Sequence, residues 1–302
     1  MSPAAPGAPF RSGLVALAGR PNVGKSTLAN ALAGVHVAAV SPRPQTTRRR
    51  VSAVVHGDGF QAVLLDLPGF QRPADRLTER MQRTVDDTLA DCDAAVLVLN
   101  AREAVGGGDR FIAERLRAAG LPVIVVVNQV DRVDAAGIAR AIEVASPLVE
   151  FTSLHPVSAL TGDGVAALRA DLPAILPEGP AYFPPGLVTD QTEEELAGEI
   201  VREAALQRIR EEVPHAIAVA VEEVAEAGPR GRERVVRAAI LVERESQKAI
   251  VVGKGGAMIR SIGIASRTAL SRIWGTTVHV DLVVKVRRRW RQDESMLDRL
   301  GL

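Results

Sequence analysis

The sequence predicts an α/β domain with a mostly parallel, helix-covered sheet, followed by a smaller α+β domain. Between residue 13 and about residue 175, short apolar runs alternate with helical patterns, which is typical of parallel strands covered by helices on both faces. From residue 177 a proline-dense stretch interrupts this alternation, and proline excludes both helix interiors and central strands. We therefore expect two domains in the 302 residues.

The elements follow from the apolar runs and the turns between them. In the first domain, strands are predicted at residues 14–18, 51–56, 61–66, 94–100, 123–128 and 152–157, and helices begin near residues 25, 77, 108, 134 and 164. The turn Gly57-Asp58-Gly59 predicts a hairpin and hence one antiparallel edge strand. The second domain is predicted as helix 192–212, strands 214–224 and 233–243, a helix pair at 246–274, strand 277–286 and a tail.

The domain boundaries follow from the same reading. We expect a disordered N-terminus at 1–12, a first domain at 13–180, a linker at 181–190 and a second domain at 191–302. The single cysteine, Cys92, excludes a disulfide framework. The N-terminus lacks the apolar segment of a signal peptide, and no apolar run approaches the roughly 20 residues of a membrane span. We expect a cytoplasmic protein, and peripheral contact with a membrane is compatible with this composition.

A phosphate-binding loop stands between the first strand and the first helix. Its residues are Gly19, Arg20, Pro21, Asn22, Val23, Gly24, Lys25 and Ser26, followed by Thr27. They fit the pattern G-x-x-x-x-G-K-[ST], in which backbone N–H groups and a helix N-terminus surround phosphate oxygens. We expect Lys25 to reach the β- and γ-phosphates and the Ser26 hydroxyl to bind Mg²⁺.

Two further segments supply groups for the same metal and phosphate. The third strand ends in Asp66, Leu67, Pro68 and Gly69. We expect Asp66 to hold the Mg²⁺ shell and the Gly69 N–H to contact the γ-phosphate. Thr46 and Thr47 lie in the loop before the second strand, and a hydroxyl there would complete the Mg²⁺ coordination. We favour Thr47, with Thr46 as the alternative. The catalytic set is then Lys25, Thr47, Asp66 and Gly69.

The ends of the fifth and sixth strands predict the choice of base. Asn128, Gln129, Val130 and Asp131 follow the fifth strand, and Ser158 and Ala159 follow the sixth. A carboxylate at Asp131 accepts hydrogen bonds from both N1–H and N2–H₂ of guanine, and adenine has no such donor pair. A backbone N–H near Ala159 can donate to guanine O6. Ligands bind at this edge of open α/β sheets, so the set predicts a site for GTP and GDP.

These motifs, in this order, resemble the translation-factor-related GTPases. Two positions depart from that family. Gln129 replaces the lysine of its Asn-Lys-x-Asp motif, from which we expect micromolar affinity for GDP, an unchanged base preference and no competition by ATP. Phe70 stands where many relatives carry a glutamine that orients water. The resemblance implies slow hydrolysis, and we hypothesise a K⁺ ion held partly by Asn22.

A second glycine loop lies in the second domain, at Gly253, Lys254, Gly255 and Gly256. Its G-x-x-G pattern and the order of elements resemble the bacterial type of KH module, which binds about four nucleotides of a single strand. Residues 246–291 carry ten basic residues and one acid in a chain of net charge +1, so the basic patch is local. We expect RNA contacts from the loop and from Arg260, Lys285, Arg287, Arg288, Arg289 and Trp290, the last by stacking on a base or else as packing.

Both glycine loops in one chain resemble the bacterial GTPases of small-subunit assembly. The resemblance covers residues 13–291 and includes Pro44-Gln45-Thr46-Thr47-Arg48. It implies three partners: the 3′ end of 16S ribosomal RNA, the 30S subunit and, reversibly, the membrane surface. We expect a monomer. The leading hypothesis is a GTPase whose nucleotide state controls RNA binding. The alternative is a ribosome-bound scaffold in which GTP is structural and its hydrolysis is incidental. A nucleotide kinase is disfavoured because no second substrate site is evident.

Overall fold

The computed structural model describes residues 9–41, 43, 46–69, 74–209, 213–228 and 232–302. The strands are β1 (Arg11–Ala18), β2 (Val51–Gly57), β3 (Phe60–Asp66), β4 (Ala94–Asn100), β5 (Val123–Asn128), β6 (Ser153–Pro156), β7 (Ala218–Ala227), β8 (Glu233–Val242) and β9 (Thr277–Val286). The helices are α1 (Lys25–Ala33), α2 (Arg76–Asp91), α3 (Gly107–Ala119), α4 (Ala135–Ala145), α5 (Val165–Asp171), α6 (Glu193–Arg208), α7 (Val213–Ala216), α8 (Glu245–Val252), α9 (Ala257–Trp274) and α10 (Glu294–Arg299).

These elements group into two compact units. The first runs to Ala38 and includes Thr47–Arg72 and Gln82–Asp190. The second comprises Ala39–Thr46, Pro73–Met81 and Gln191–Leu302. Two segments from the first half of the chain therefore belong to the second unit, and the boundary falls inside α2. The sequence predicts the boundary near residue 190 and gives no sign of the two earlier segments, because their grouping depends on long-range packing.

The first unit contains a six-stranded sheet in the order β2-β3-β1-β4-β5-β6. Only β2 and β3 pair antiparallel, and the other neighbours are parallel. Alternate residues of the central strands enter two apolar clusters: Leu17 lies in one and Ala16 in the other. Both faces of the sheet are thus covered, as the near-continuous apolar runs predict. The carboxyl ends of the parallel strands share one edge, and the polar motifs follow them there.

The ends of this unit differ from the expected boundaries. Arg11 and Ser12, in the tail expected to be disordered, already belong to β1, and the Ser12 hydroxyl donates to Pro180 O at 2.6 Å. The expected linker is packed on the unit as well. The side-chain oxygen of Gln61 accepts hydrogen bonds from the N–H groups of Tyr182 and Phe183. Buried polar groups require such partners, so the segment after Pro180 is held along the β2–β3 edge of the sheet.

The second unit is a three-stranded sheet in the order β7-β8-β9, antiparallel and then parallel. On one face, Ile240 packs with residues of α6, α8 and α9. On the other face, Leu241 packs with the C-terminal segment and with Leu77 and Met81 at the start of α2. Charged contacts accompany this second cluster: Arg80 pairs with Glu294 and Asp298. The start of α2 is thus held by both apolar and ionic contacts within this unit.

One strand prediction for the second unit needs correction. Residues 213–216 form the short helix α7, and β7 begins only at Ala218. Pro214 explains the difference, because a proline cannot donate to a strand ladder. The C-terminal tail is ordered and contains α10.

The described residues include one stretch, Glu245–Trp274, that could cross a membrane by length and composition alone. It is not a continuous helix. Gly253 (φ 73°, ψ 170°) and Gly255 (φ 59°, ψ 23°) break it into α8 and α9. Val251 and Ile262 of the stretch are fully buried in the unit's core, whereas Ile250 and Ile264 are exposed.

Candidate functional site

The loop between β1 and α1 has the backbone shape that phosphate binding requires. Gly24 has φ +97°, and a Cβ there would lie 2.3 Å from Nδ2 of Asn128. A Cβ on Gly19 would lie 2.5 Å from Val98 O. Only glycine fits at either position. α1 begins at Lys25, so the free N–H groups of its first turn face the loop and favour an anion.

Lys25 is buried inside this loop. Its Nζ donates to Gly19 O at 3.1 Å and to Arg20 O at 3.2 Å. Burial lowers the pKa of the Lys25 ammonium from its ordinary value, and the Asp66 carboxylate acts in the opposite direction. A desolvated ammonium gains more from a nearby anion than an exposed one does. The ammonium is therefore suited to neutralise phosphate charge, as the sequence predicts.

The three predicted Mg²⁺ ligands lie together. Asp66 Oδ2 accepts from Ser26 Oγ at 2.5 Å and from Thr47 Oγ1 at 3.1 Å, and the two hydroxyl oxygens are 3.0 Å apart. Mg²⁺ prefers oxygen ligands and uses few protein side chains together with phosphate and water, so this donor set fits it. The Thr46 hydroxyl instead donates to Arg43 O at 2.6 Å, which favours Thr47 of the two candidates.

Gly69 also has a structural reason to be glycine. A Cβ on it would lie 2.8 Å from Cγ of Pro21. This close approach brings the backbone after Asp66 to the phosphate-binding loop, where an N–H can meet a terminal phosphate. Leu67 and Pro68 between them are buried. Phe70 lies outside the described residues, as do Pro44 and Gln45.

The predicted base-binding residues are also joined to each other. Asp131 Oδ1 accepts a hydrogen bond from the Ser158 hydroxyl at 2.7 Å. This bond fixes the carboxylate beside the loop that begins at Ala159. Val130 and Asp131 lie in a short 3₁₀ helix that starts directly after Gln129. The arrangement can present a carboxylate edge to a base, whereas the Ala159 N–H expected to meet guanine O6 is donated to Asn128 Oδ1 in this structure.

Asn128 has a role that the sequence motif alone did not give. Its Nδ2 donates to Val23 O at 2.8 Å, and its Oδ1 accepts from Ala159 N at 3.0 Å. The side chain is buried, so both bonds are protected from water. Asn128 therefore ties together the phosphate-binding loop and the two base-binding loops.

Gln129 makes the corresponding contact nearer the surface. It adopts a left-handed backbone conformation, with φ 67°, and its Nε2 donates to Asn22 O at 3.0 Å. Asn22 is left-handed as well, with φ 65°. The glutamine thus keeps a hydrogen bond to the phosphate-binding loop but brings no charge to it.

The second glycine loop separates α8 from α9. Gly253, Gly255 and Gly256 all have positive φ, and a Cβ on Gly253 would lie 2.7 Å from Cβ of Met258. The two helices can meet this closely only without a side chain there. Lys254 is exposed at the turn, and Arg260 is exposed one turn into α9. The geometry suits a nucleic-acid backbone that passes over the loop.

The other predicted RNA contacts fall into two groups. Arg287, Arg288 and Arg289 are exposed after β9, and Lys285 Nζ pairs with Glu222 Oε1 at 2.5 Å. Trp290 is 1% exposed, and its Nε1 donates to Ala216 O at 2.9 Å. Stacking of Trp290 on a base is therefore wrong, and the alternative that it serves packing agrees with the structure. A solvent-facing indole would have been needed for stacking.

Together the fold and the two glycine loops define a P-loop GTPase domain followed by a KH domain. Family models agree: one described as a 50S ribosome-binding GTPase matches residues 14–129, and one described as a KH domain matches residues 212–291. The chain is 47% identical over 299 residues to GTPase Era of Mycobacterium tuberculosis, covering 97% of this chain and 99% of that one. It is 45% identical over 295 residues to GTPase Era of Mycobacterium avium, with the same coverage.

Two solved structures are similar over the full length. One is Era in complex with MgGDPNP and nucleotides 1506–1542 of 16S ribosomal RNA, with a TM-score of 0.90. The other is a variant of Aquifex aeolicus Era bound to GDP and AlF₄⁻, with a TM-score of 0.91. Each is 35% identical and covers 97% of this chain and 99% of its own. The chain belongs to the Era family of GTPases.

Proposed function

We propose that this GTPase couples its nucleotide state to binding of the single-stranded 3′ end of 16S ribosomal RNA during 30S subunit assembly. One observation carries the coupling. Thr47 and Asp66 belong to the proposed metal-binding set. Thr47 directly follows Ala39–Thr46, and Asp66 lies seven residues before Pro73–Met81; both of these segments group with the KH unit. A shift in either loop on GTP binding is transmitted along the chain to the RNA-binding unit. The related structure with MgGDPNP and a 16S fragment supports the same partner.

Hydrolysis in this site depends on charge neutralisation and positioning. Lys25 stabilises charge on the β- and γ-phosphates, and the Gly69 N–H holds a γ-phosphate oxygen. Ser26, Thr47 and Asp66 would hold Mg²⁺, which draws charge from the β- and γ-oxygens. Among the described residues near this set, none is placed as a general base. We therefore expect slow hydrolysis without an activator.

We also propose that K⁺ supports hydrolysis next to Asn22. Asn22 is an exposed residue of the phosphate-binding loop with a left-handed backbone, and its side-chain amide oxygen is a ligand type that a monovalent cation accepts. Exchange of K⁺ for Na⁺ at constant ionic strength should lower the turnover number. An unchanged turnover would rule the ion out.

The RNA coupling is tested by anisotropy of a labelled 16S 3′-end oligonucleotide. In the presence of Mg²⁺, we expect the GDPNP-bound protein to bind the oligonucleotide more tightly than the GDP-bound protein does. Lys254→Ala should weaken binding in both states, because it removes a phosphate contact. Arg237→Ala is the matched control, since Arg237 is an exposed cation on β8 that pairs with Glu223. Equal affinity in both nucleotide states would contradict the coupling.

The scaffold alternative makes a different prediction for Lys25→Ala. If GTP is only structural, subunit maturation in cells continues once hydrolysis is lost, provided that the variant still binds nucleotide. If hydrolysis drives release, the RNA-bound form accumulates. The proportion of this protein that cosediments with 30S particles distinguishes the two.

Finally, we propose a cytoplasmic monomer that makes reversible contact with the inner membrane face. The basic residues between Ser246 and Arg291 would be attracted by anionic lipid. Sedimentation with anionic and with neutral vesicles tests this contact, and equal sedimentation with both would count against it. Sedimentation velocity tests the monomer.

A further inference from the structure

The side chain of Arg20 in the phosphate-binding loop points to a residue far away in sequence. Its Nε donates to Asp109 Oδ1 at 2.8 Å. Its Nη2 lies 3.0 Å from Glu103 Oε2. Asp109 is 1% exposed, whereas the Glu103 side chain is 52% exposed. Because exposed ion pairs contribute little, the buried carboxylate is the partner that matters. We propose that Asp109 is a positioning residue for GTP binding and hydrolysis.

The start of α3 is shaped to receive this arginine. Asp109 Oδ2 accepts a hydrogen bond from Gly106 N at 2.8 Å, so each carboxylate oxygen has a partner. A Cβ on Gly108 would lie 3.0 Å from Cδ of Arg20, so a side chain at this position would press on the arginine stem. A buried carboxylate is costly unless it is paired and hydrogen-bonded, and here both conditions are met.

The contact reaches the reacting groups through the backbone of Arg20. Arg20 O accepts a hydrogen bond from Lys25 Nζ at 3.2 Å. The next residue, Pro21, sets the close approach of Gly69. A displaced Arg20 therefore moves the carbonyl that orients Lys25 and the ring against which Gly69 lies. The contacts of the Asp109 side chain are with Arg20 and Gly106, so we assign it the role of holding the loop in place.

A purely structural role at the start of α3 is the competing explanation. Asp134 provides a matched comparison, because its Oδ1 accepts from Gly137 N at 2.7 Å at the start of α4. It has no contact with the phosphate-binding loop in the described contacts. Asp134 is the exposed N-cap of α4, a position where Asn is as favourable as Asp, and Asp109 is the buried third residue of α3. Each substitution changes one carboxylate that accepts a backbone hydrogen bond at a helix start, and only Asp109→Asn weakens the ion pair with Arg20. The melting temperature of each variant reports its structural effect separately.

The experiment measures GTP turnover and release of fluorescent GDP for both variants. Asp109→Asn should raise the KM for GTP and the GDP release rate by about tenfold, the usual size of a lost charge-assisted hydrogen bond. It should lower kcat by less. Asp134→Asn should stay within about twofold on the same estimate. Equal effects of the two variants on KM and on GDP release would overturn the proposal.

A double-mutant cycle with Arg20→Gln gives a second test. If Asp109 acts through Arg20, the double variant is no worse than the more impaired single variant. Additive effects would contradict the proposal. Should Asp109→Asn fail to fold, Arg20→Gln alone must still raise the KM for GTP while leaving the melting temperature of the nucleotide-free protein unchanged. A variant that changes only that melting temperature would show that the pair is structural.

Discussion

Replacement of Gln129 by lysine tests how this chain holds guanine nucleotides. Gln129 Nε2 donates a neutral hydrogen bond to Asn22 O at 3.0 Å, at an exposed position. A neutral hydrogen bond contributes about 1 kcal/mol, and one from a charged donor about 1.5–3 kcal/mol. At this exposed position we take the lower end, a gain of about 0.5–1 kcal/mol, which corresponds to roughly two- to fivefold.

The assay is release of a fluorescent GDP chased with unlabelled GDP. Gln129→Lys should slow release two- to fivefold, because the charged donor holds the phosphate-binding loop to the base-binding loop more firmly. Gln129→Ala is the control that removes the contact, and it should speed release by a similar factor. ATP should fail to compete with GDP for binding to either variant, because Asp131 is unchanged. If Gln129→Lys binds GDP no better than the parent chain, a charge at this position is not what limits affinity.

Three further outcomes follow from the described contacts. Asp131→Asn should lower GTP affinity by about a hundredfold. It should favour XTP, because the extra oxygen of xanthine accepts a hydrogen bond from the new amide. Competition between the two nucleotides measures both effects, and a retained preference for GTP would contradict the assignment of Asp131 to the base. Trp290→Phe should lower the free energy of unfolding by about 1–2 kcal/mol, since the indole bond to Ala216 O is lost; weaker RNA binding with unchanged stability would restore a stacking role. Burial, with smaller contributions from Asp93 and Asp91, raises the pKa of Cys92 to about 12. The thiol should therefore resist labelling by a thiol reagent at pH 8 until the chain unfolds. Rapid labelling of the folded protein would contradict this burial.

The sequence predicted which elements carry the nucleotide-binding motifs because each motif is local. The glycines, Lys25 and Ser26 form one continuous motif, and the apolar runs placed β4 and β5 at their observed bounds. The strand order also brought Asp66 and Asp131 to one edge. Each of these inferences needs only a periodicity, a spacing and the rule that parallel strands end together.

The remaining features depend on contacts that no local pattern contains. Arg20 and Asp109 are separated by 89 positions, and Asp109 lies in an ordinary polar helix start. Asn128 belongs to a known motif, but its two side-chain hydrogen bonds, to Val23 O and from Ala159 N, form only when the surrounding loops are folded together. Trp290 follows three arginines, which favoured an exposed interpretation, and only packing with residues such as Leu241 and Leu297 decides its burial.

The burial of Trp290 changes how the basic segment before it should be understood. Arg287 N donates to Val242 O at 2.7 Å, and Trp290 is fixed in the core. The intervening Arg288 and Arg289 are therefore held at both ends, and Arg289 turns the chain with φ 54°. A flexible tail would lose backbone entropy when it bound RNA, at about 1–2 kcal/mol per ordered residue. A segment already held in place avoids much of that loss, so it is preorganised for the phosphate contacts that the sequence predicts for Arg288 and Arg289.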